Sequence, residues 1–205
     1  MAKKKWKKQK RKNIRGIAVI AGILLIATAF VFSLRSVSSP FSDHSQEQEA
    51  QSHQEFIDRL VPHAQELQDA YGVLPSIILG QAILESNWGK STLASEYNNL
   101  FGIKAYEGQK KVSLETKEFV NQEWITIQGD FRVYDSWEQS MDDHTRLFIQ
   151  GVDWNPALYE KVITAADYQE AAQALQDAGY ATDPTYAQKI IEVIETYQLN
   201  QYDRR

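Results

Sequence analysis

The feature that most constrains this chain is an uninterrupted stretch from Gly16 to Leu34, GIAVIAGILLIATAFVFSL, which carries no charge over nineteen positions. At about 1.5 Å per residue, a helix of that length crosses the roughly 30 Å hydrocarbon core of a bilayer. The fifteen residues before it, MAKKKWKKQKRKNIR, hold nine of the chain's twenty-two Lys and Arg. From Ser36 to Arg205 twelve basic residues face all twenty-seven acidic ones, so the formal charge of −5 conceals an outer segment near −15. A basic flank before an apolar span orients the N-terminus in the cytoplasm and the remainder outside. A dense Lys/Arg run also suits nucleic acid, but its position against the span assigns it to topology and the lipid surface, and no nucleic-acid partner is expected. The competing reading is a cleavable signal peptide ending at Ala27-Thr28-Ala29, which would leave a secreted product. Apolar residues continue through Phe30, Val31, Phe32 and Leu34, which favours an uncleaved anchor.

The expected organisation is a basic cytoplasmic tip at 1–15, a transmembrane signal-anchor helix at 16–34, a polar linker at 35–54 and an extracellular domain at 55–205. The linker is rich in Ser, Gln and Glu and has no apolar period to bury, so it reads as a tether of poorly fixed structure. As a coil, about twenty such residues span roughly 22–27 Å. His44 and His53 are isolated there and make no convincing metal site. The chain has no Cys, which excludes disulfides, thiolate catalysis and thiolate metal sites.

In the outer domain, EFIDRLVPHAQELQDAYG has helical spacing interrupted by Pro62, and a bend or boundary near Val61 is expected. Pro75 suits the first turn of a second helix, SIILGQAILESNW, with Gly89 permitting its exit. Lys111–Val120 and Glu123–Tyr134 read as strands, with Gly129-Asp130 marking a turn. Ser136 and Gln139 form a capping-box pattern for the next helix. Asn155-Pro156 reads as the opening of a short helix, and Asp183-Pro184 as the start of the last one. The outline is α+β, mostly helical with one small antiparallel sheet.

Glu85 connects fold to chemistry. It lies four residues after Gln81 and seven after Ile78, on the inward side of an apolar helix, where Glu is seldom found without a reason. A carboxyl desolvated at a helix end keeps its proton to higher pH and can donate it to a leaving oxygen. Pairing with a buried Lys or Arg, or capping of a loop, is an equally open explanation from position alone. Nearby Trp88, Tyr97, Phe101, Tyr106, Trp124, Phe131, Tyr134 and Trp137 offer flat apolar surfaces suited to sugar rings, and Asn98 and Asn99 offer amides. Core packing is the competing role for each of these aromatics. His63 and His144 read as surface or satisfied helix residues, and Asp142-Asp143-His144 is too compressed on a helix to hold a metal.

From about Pro75 to Tyr197, the ordered blocks LPSIILGQAILESNWGKSTLA, YNNLFGIK, TKEF, FRVYDSWEQSMDDHTRLF and YATDPTYAQKI resemble the bacterial peptidoglycan glucosaminidases of glycoside hydrolase family 73. The resemblance implies a lysozyme-like fold and hydrolysis of the β-1,4 bond between N-acetylglucosamine and N-acetylmuramic acid, with peptidoglycan glycan strands as partner and no cofactor. It places Glu85 at the family's catalytic acid, Glu118 in TKEF at a second carboxylate, and Tyr186 at the active-site tyrosine. Tyr186 also reads as an ordinary first-turn aromatic. Trp88, Tyr97, Asn98, Asn99 and Phe101 fall beside the expected substrate groove. Glu115 and Glu123 lie close enough to compete with Glu118. Glu118 would activate water for inversion or orient the substrate's N-acetyl group, whose oxygen can attack the anomeric carbon. The alternatives are a muramidase or lytic transglycosylase, or a catalytically inactive wall-binding or scaffold protein. The resemblance names no protein partner.

Overall fold

A computed structural model describes residues 42–120 and 123–204. The apolar span at 16–34 lies outside these residues, and no helix among the described ones is long and apolar enough to cross a membrane.

The fold is built round one helix that has almost no exposed side. Helix α2, Pro75–Ser86, buries eleven of its twelve residues, including Ser76, Gln81, Glu85 and Ser86 among its apolar ones. It is packed by α1 (Ser42–Tyr71), α6 (Tyr168–Asp177), α7 (Tyr186–Thr196) and a 3-10 turn, Leu199–Tyr202. Helix α7 approaches closely because Gly80 has no side chain: a Cβ there would stand 3.2 Å from Ile194 Cγ1. Asp203 closes the arrangement from the other end of the domain. Its two carboxylate oxygens accept from Ser76 N and Ser76 Oγ, each at 2.8 Å, and so satisfy one orphan backbone donor of the first turn of α2.

Helix α1 buries Phe56, Ile57, Leu60, Ala64 and Leu67 along one stripe. It differs from the sequence expectation in two ways. The helix runs through Pro62 without ending, because Pro62 is on the solvent face, where water can satisfy the carbonyl left without its N–H. It also reaches back to Ser42, so most of the predicted linker is helical. Side-chain pairs one turn apart, Gln51 to Glu55 at 3.0 Å and Gln54 to Asp58 at 2.8 Å, support that extension. His53, read as a tether residue, is 7% exposed and stacks on Trp88. The packed unit therefore begins before Glu55.

After α3 (Thr92–Tyr97), the chain forms a two-stranded antiparallel hairpin, β1 (Lys111–Val120) and β2 (Glu123–Arg132), in register from Lys111 opposite Arg132 to Val120 opposite Glu123. Gly129 is not a turn residue. It lies inside β2 opposite Leu114, where a Cβ would collide with the Lys104 amine and the Phe131 ring.

Helix α4, Trp137–Gln150, starts at the expected cap: Ser136 Oγ accepts from Gln139 N, and Gln139 Oε1 accepts from Asp135 N. Asn155 instead makes a local turn by accepting from Ala157 N, and the short helix α5 begins only at Glu160. Asp183 Oδ1 accepts from Thr185 N and Oγ1, and α7 starts at Tyr186. The outcome is a mostly helical, lysozyme-like domain with one small antiparallel sheet.

Candidate active site

Glu85 sits in the last turn of α2, and the turn that follows fixes its position. Ser86 Oγ donates to Ala82 O and accepts from Gly89 N, both at 2.6 Å. Asn87, Trp88 and Gly89 then take positive φ values of 51°, 61° and 72°. Only glycine adopts this conformation freely, and a Cβ on Gly89 would also stand 2.7 Å from the Trp137 ring. A non-glycine pair held in the left-handed region is strained backbone, sustained here by the packing around it.

Glu85 is 6% exposed. Tyr186 Oη donates to Glu85 Oε1 at 2.9 Å, and Gln81 Nε2 donates to Tyr186 Oη at 2.8 Å. Burial pushes the Glu85 carboxyl up to about 8, against the opposing pull of the Tyr186 hydrogen bond and the Lys189 charge. The negative end of the α2 dipole acts in the same direction as burial. Burial thus favours the protonated form of Glu85 near neutral pH, and no buried cation among the described residues pairs with it. Lys189, the nearby charge, pairs with Asp183 at 2.5 Å. Tyr186 is fully buried and stacks on Tyr180, ring centroids 5.6 Å apart, so it is part of the acid's surroundings rather than an ordinary first-turn aromatic.

Glu118 lies on β1 opposite Ile125, near the tip of the hairpin. Strand alternation gives it the parity of Thr116, which is buried, whereas Glu115 has the opposite parity and is exposed opposite Gln128. Glu123, opposite Val120, shares the parity of Glu118 because cross-strand partners lie on one face.

Three residues expected beside a substrate groove are structural. Trp88 is 7% exposed, sandwiched at 3.6 Å against His53 and edge-on to Phe56 and Tyr197. Phe101 is fully buried and stacks on His144 at 3.9 Å. Asn99 is 1% exposed, and its amide is fully engaged: Nδ2 donates to Ile103 O and Arg132 O, and Oδ1 accepts from Ile103 N. It ties the base of the hairpin to the end of α3. Tyr97 and Asn98 remain partly exposed, although Asn98 Nδ2 donates to Tyr134 O at 3.1 Å.

His144 is also not as expected. It is wholly buried with neither ring nitrogen hydrogen-bonded, and burial depresses its pKa to about 3. His63 bridges Asp142 at 2.8 Å and Glu66 at 3.0 Å, which links α1 to α4. Asp143 turns to Arg132 and Tyr134, so the run Asp142-Asp143-His144 faces three ways. Among the described residues, no group of His, Asp and Glu could hold a metal ion.

Nothing in the sequence marks Gln81 or Tyr180 as site residues. Gln81 was visible one turn before Glu85, but its partner Tyr186 is 105 residues away and only folding brings them together.

A family model described as "Glucosaminidase: Mannosyl-glycoprotein endo-beta-N-acetylglucosaminidase" matches residues 61–199. The exo-glucosaminidase LytG of Bacillus subtilis (strain 168) is 43% identical over 203 residues, covering 99% of this chain and 70% of LytG. A probable N-acetylmuramidase of Lactococcus lactis subsp. cremoris is 37% identical over 191 residues, 92% of this chain but 42% of that protein. The chain thus spans less than half of this second relative. The crystal structure of the catalytic domain of the autolysin Auto from Listeria monocytogenes superposes with a TM-score of 0.68 at 35% identity, covering 82% of this chain and all of that one.

Proposed function

The chain belongs to the glucosaminidase family of peptidoglycan glycoside hydrolases, and from that premise we propose that it cleaves the β-1,4 bond between N-acetylglucosamine and N-acetylmuramic acid, with Glu85 as general acid. The observation that carries the assignment is a buried carboxyl that accepts from Tyr186 and whose pKa burial raises to about 8. A sugar alkoxide is a poor leaving group. Glu85 gives its proton to the bridging oxygen as the C–O bond breaks, and positive charge develops at the anomeric carbon. Glu118 then either activates the attacking water or orients the substrate's N-acetyl oxygen to attack that carbon. Glu115 and Glu123, on the same hairpin, are the alternatives to Glu118 as this second carboxylate. Tyr97 and Asn98 are the groove residues left with exposed surface for glycan contact.

Placement at the membrane belongs to the same proposal. The basic tip and the apolar span at 16–34 anchor the chain with the catalytic domain on the extracellular side facing the wall. The helix from Ser42 makes the connection stiffer than a coil.

Mass spectrometry of digested peptidoglycan tests the bond specificity. Reducing-end N-acetylglucosamine supports the proposal, whereas reducing-end N-acetylmuramic acid favours the muramidase reading that the lactococcal relative's name raises. Product length distinguishes the "exo" of LytG's name from the "endo" of the family description. Glu85→Gln is expected to reduce turnover by about 10²–10⁴-fold with binding retained. Glu118→Gln is expected to be far more damaging than Glu115→Gln. Retention of the β configuration in the first product, read by NMR, would exclude direct inversion by a Glu118-activated water.

A further inference from the structure

We infer that Gln81 is a positioning residue for the acid: by donating to Tyr186 it directs Tyr186 to donate to Glu85 Oε1, which favours Oε2 as the oxygen that carries the reactive proton. This rests on Glu85 being the general acid, and it concerns which of the two carboxyl oxygens carries the proton.

A phenol has one hydrogen to give. Gln81 Nε2 lies 2.8 Å from Tyr186 Oη and, being an amide nitrogen, can only donate. The other polar atom bonded to Tyr186 Oη is Glu85 Oε1 at 2.9 Å. Tyr186 is fully buried, so no bulk water offers its hydrogen another acceptor. The hydrogen therefore points at Oε1, and because the carbonyl oxygen of a carboxylic acid is a better acceptor than its hydroxyl oxygen, this favours Oε1 as the carbonyl. The proton is then favoured on Oε2, the carboxyl oxygen that Tyr186 does not engage. A carboxyl free to carry its proton on either oxygen would spend part of its time with it turned into the protein.

The rigidity of the chain supports the same role. Gln81 and Glu85 are one turn apart on α2, where Gly80 admits α7 and with it Tyr186. Tyr186 is held flat against Tyr180, their planes inclined by 12°. Lys189 of α7 is the charge that acts on Glu85 from that side, and it is paired with Asp183. Donation by Gln81 also polarises the phenol and strengthens its bond to Glu85 once the carboxylate forms, since successive hydrogen bonds reinforce one another.

The test compares the full chain with Gln81→Met, Tyr186→Phe and the double variant, measuring kcat, KM and the pH profile of kcat/KM. With the donor lost, the carboxylate is less well stabilised. Gln81→Met should move the alkaline limb to higher pH in the same direction as Tyr186→Phe, lower kcat about tenfold and leave KM unchanged. The double variant should shift the limb no further than Tyr186→Phe alone, because both act through one hydrogen bond. A limb that stays in place overturns the inference. So does one that moves to lower pH, the sign expected if Gln81 instead presented its oxygen to Tyr186. Should Gln81→Met fail to fold, the wild-type chain supplies the readout. The Gln81 side-chain NH2 resonances should shift with Glu85 ionisation and cease to do so in Tyr186→Phe. Resonances indifferent to that titration overturn the inference. Glu85→Gln separates the two levels: if it keeps activity the acid assignment fails, whereas an inactive Glu85→Gln beside an unmoved Gln81→Met limb fails the positioning role alone.

Discussion

Replacing Glu85 by Gln should make the protein more stable while disabling it, and the gain should grow with pH. In the unfolded chain the carboxyl ionises near its ordinary value of 4.5, whereas in the folded domain burial holds it at about 8. Between those values the folded state binds a proton that the unfolded state lacks, so stability falls as pH rises through this window. A pKa that rises from 4.5 to about 8 corresponds to a loss of roughly 5 kcal/mol above pH 8 and roughly 3 kcal/mol at pH 7, both upper bounds for a fully buried group. Gln has the same shape, never ionises and keeps an oxygen to accept from Tyr186. Urea unfolding of both proteins at pH 4, 7 and 9 should give nearly equal stabilities at pH 4. The gap should reach a few kcal/mol at pH 9, with Glu85→Gln the more stable. A difference that is constant across the three pH values would refute the claim that Glu85 is buried and protonated.

The remaining expectations concern the scaffold. His144→Leu should flatten the acid side of the stability curve: a buried imidazole whose pKa falls from 6.5 to about 3 withdraws about 2 kcal/mol between pH 7 and pH 5, measurable as the pH dependence of urea midpoints. Asn99→Ala leaves two carbonyls and one N–H at the hairpin base without their amide partners and should cost roughly 3 kcal/mol, seen as a lowered Tm. Gly89→Ala, at φ +72° and with its new Cβ 2.7 Å from Trp137, should cost roughly 2 kcal/mol or more in denaturant unfolding; an unchanged midpoint would contradict the geometry of that turn.

Much of this was legible in the residues themselves. The apolar period of the helix that begins at Pro75 marks an inward side, and Glu85 on that side marks a site, because local periodicity is written in contiguous sequence. The hairpin's two strands and the Ser136 cap are legible for the same reason. What failed were inferences about surroundings. Gly129 looked like a turn but stands where Lys104 and Phe131 approach the strand. Trp88, Asn99 and Phe101 have chemistry suited to sugars, yet His53, the hairpin base and His144 already occupy them. Composition describes what a side chain can bind, and only packing decides whether its face is free.

The same division holds for the acid. Sequence alone determined that a carboxyl sits at the inner end of an apolar helix, since spacing along the chain fixes the face on which a residue lies. Only the tertiary structure raised its pKa and favoured one oxygen to carry the proton. Those depend on Tyr186 and Lys189 of α7, more than a hundred residues further along the chain, and on how completely the surrounding helices exclude water.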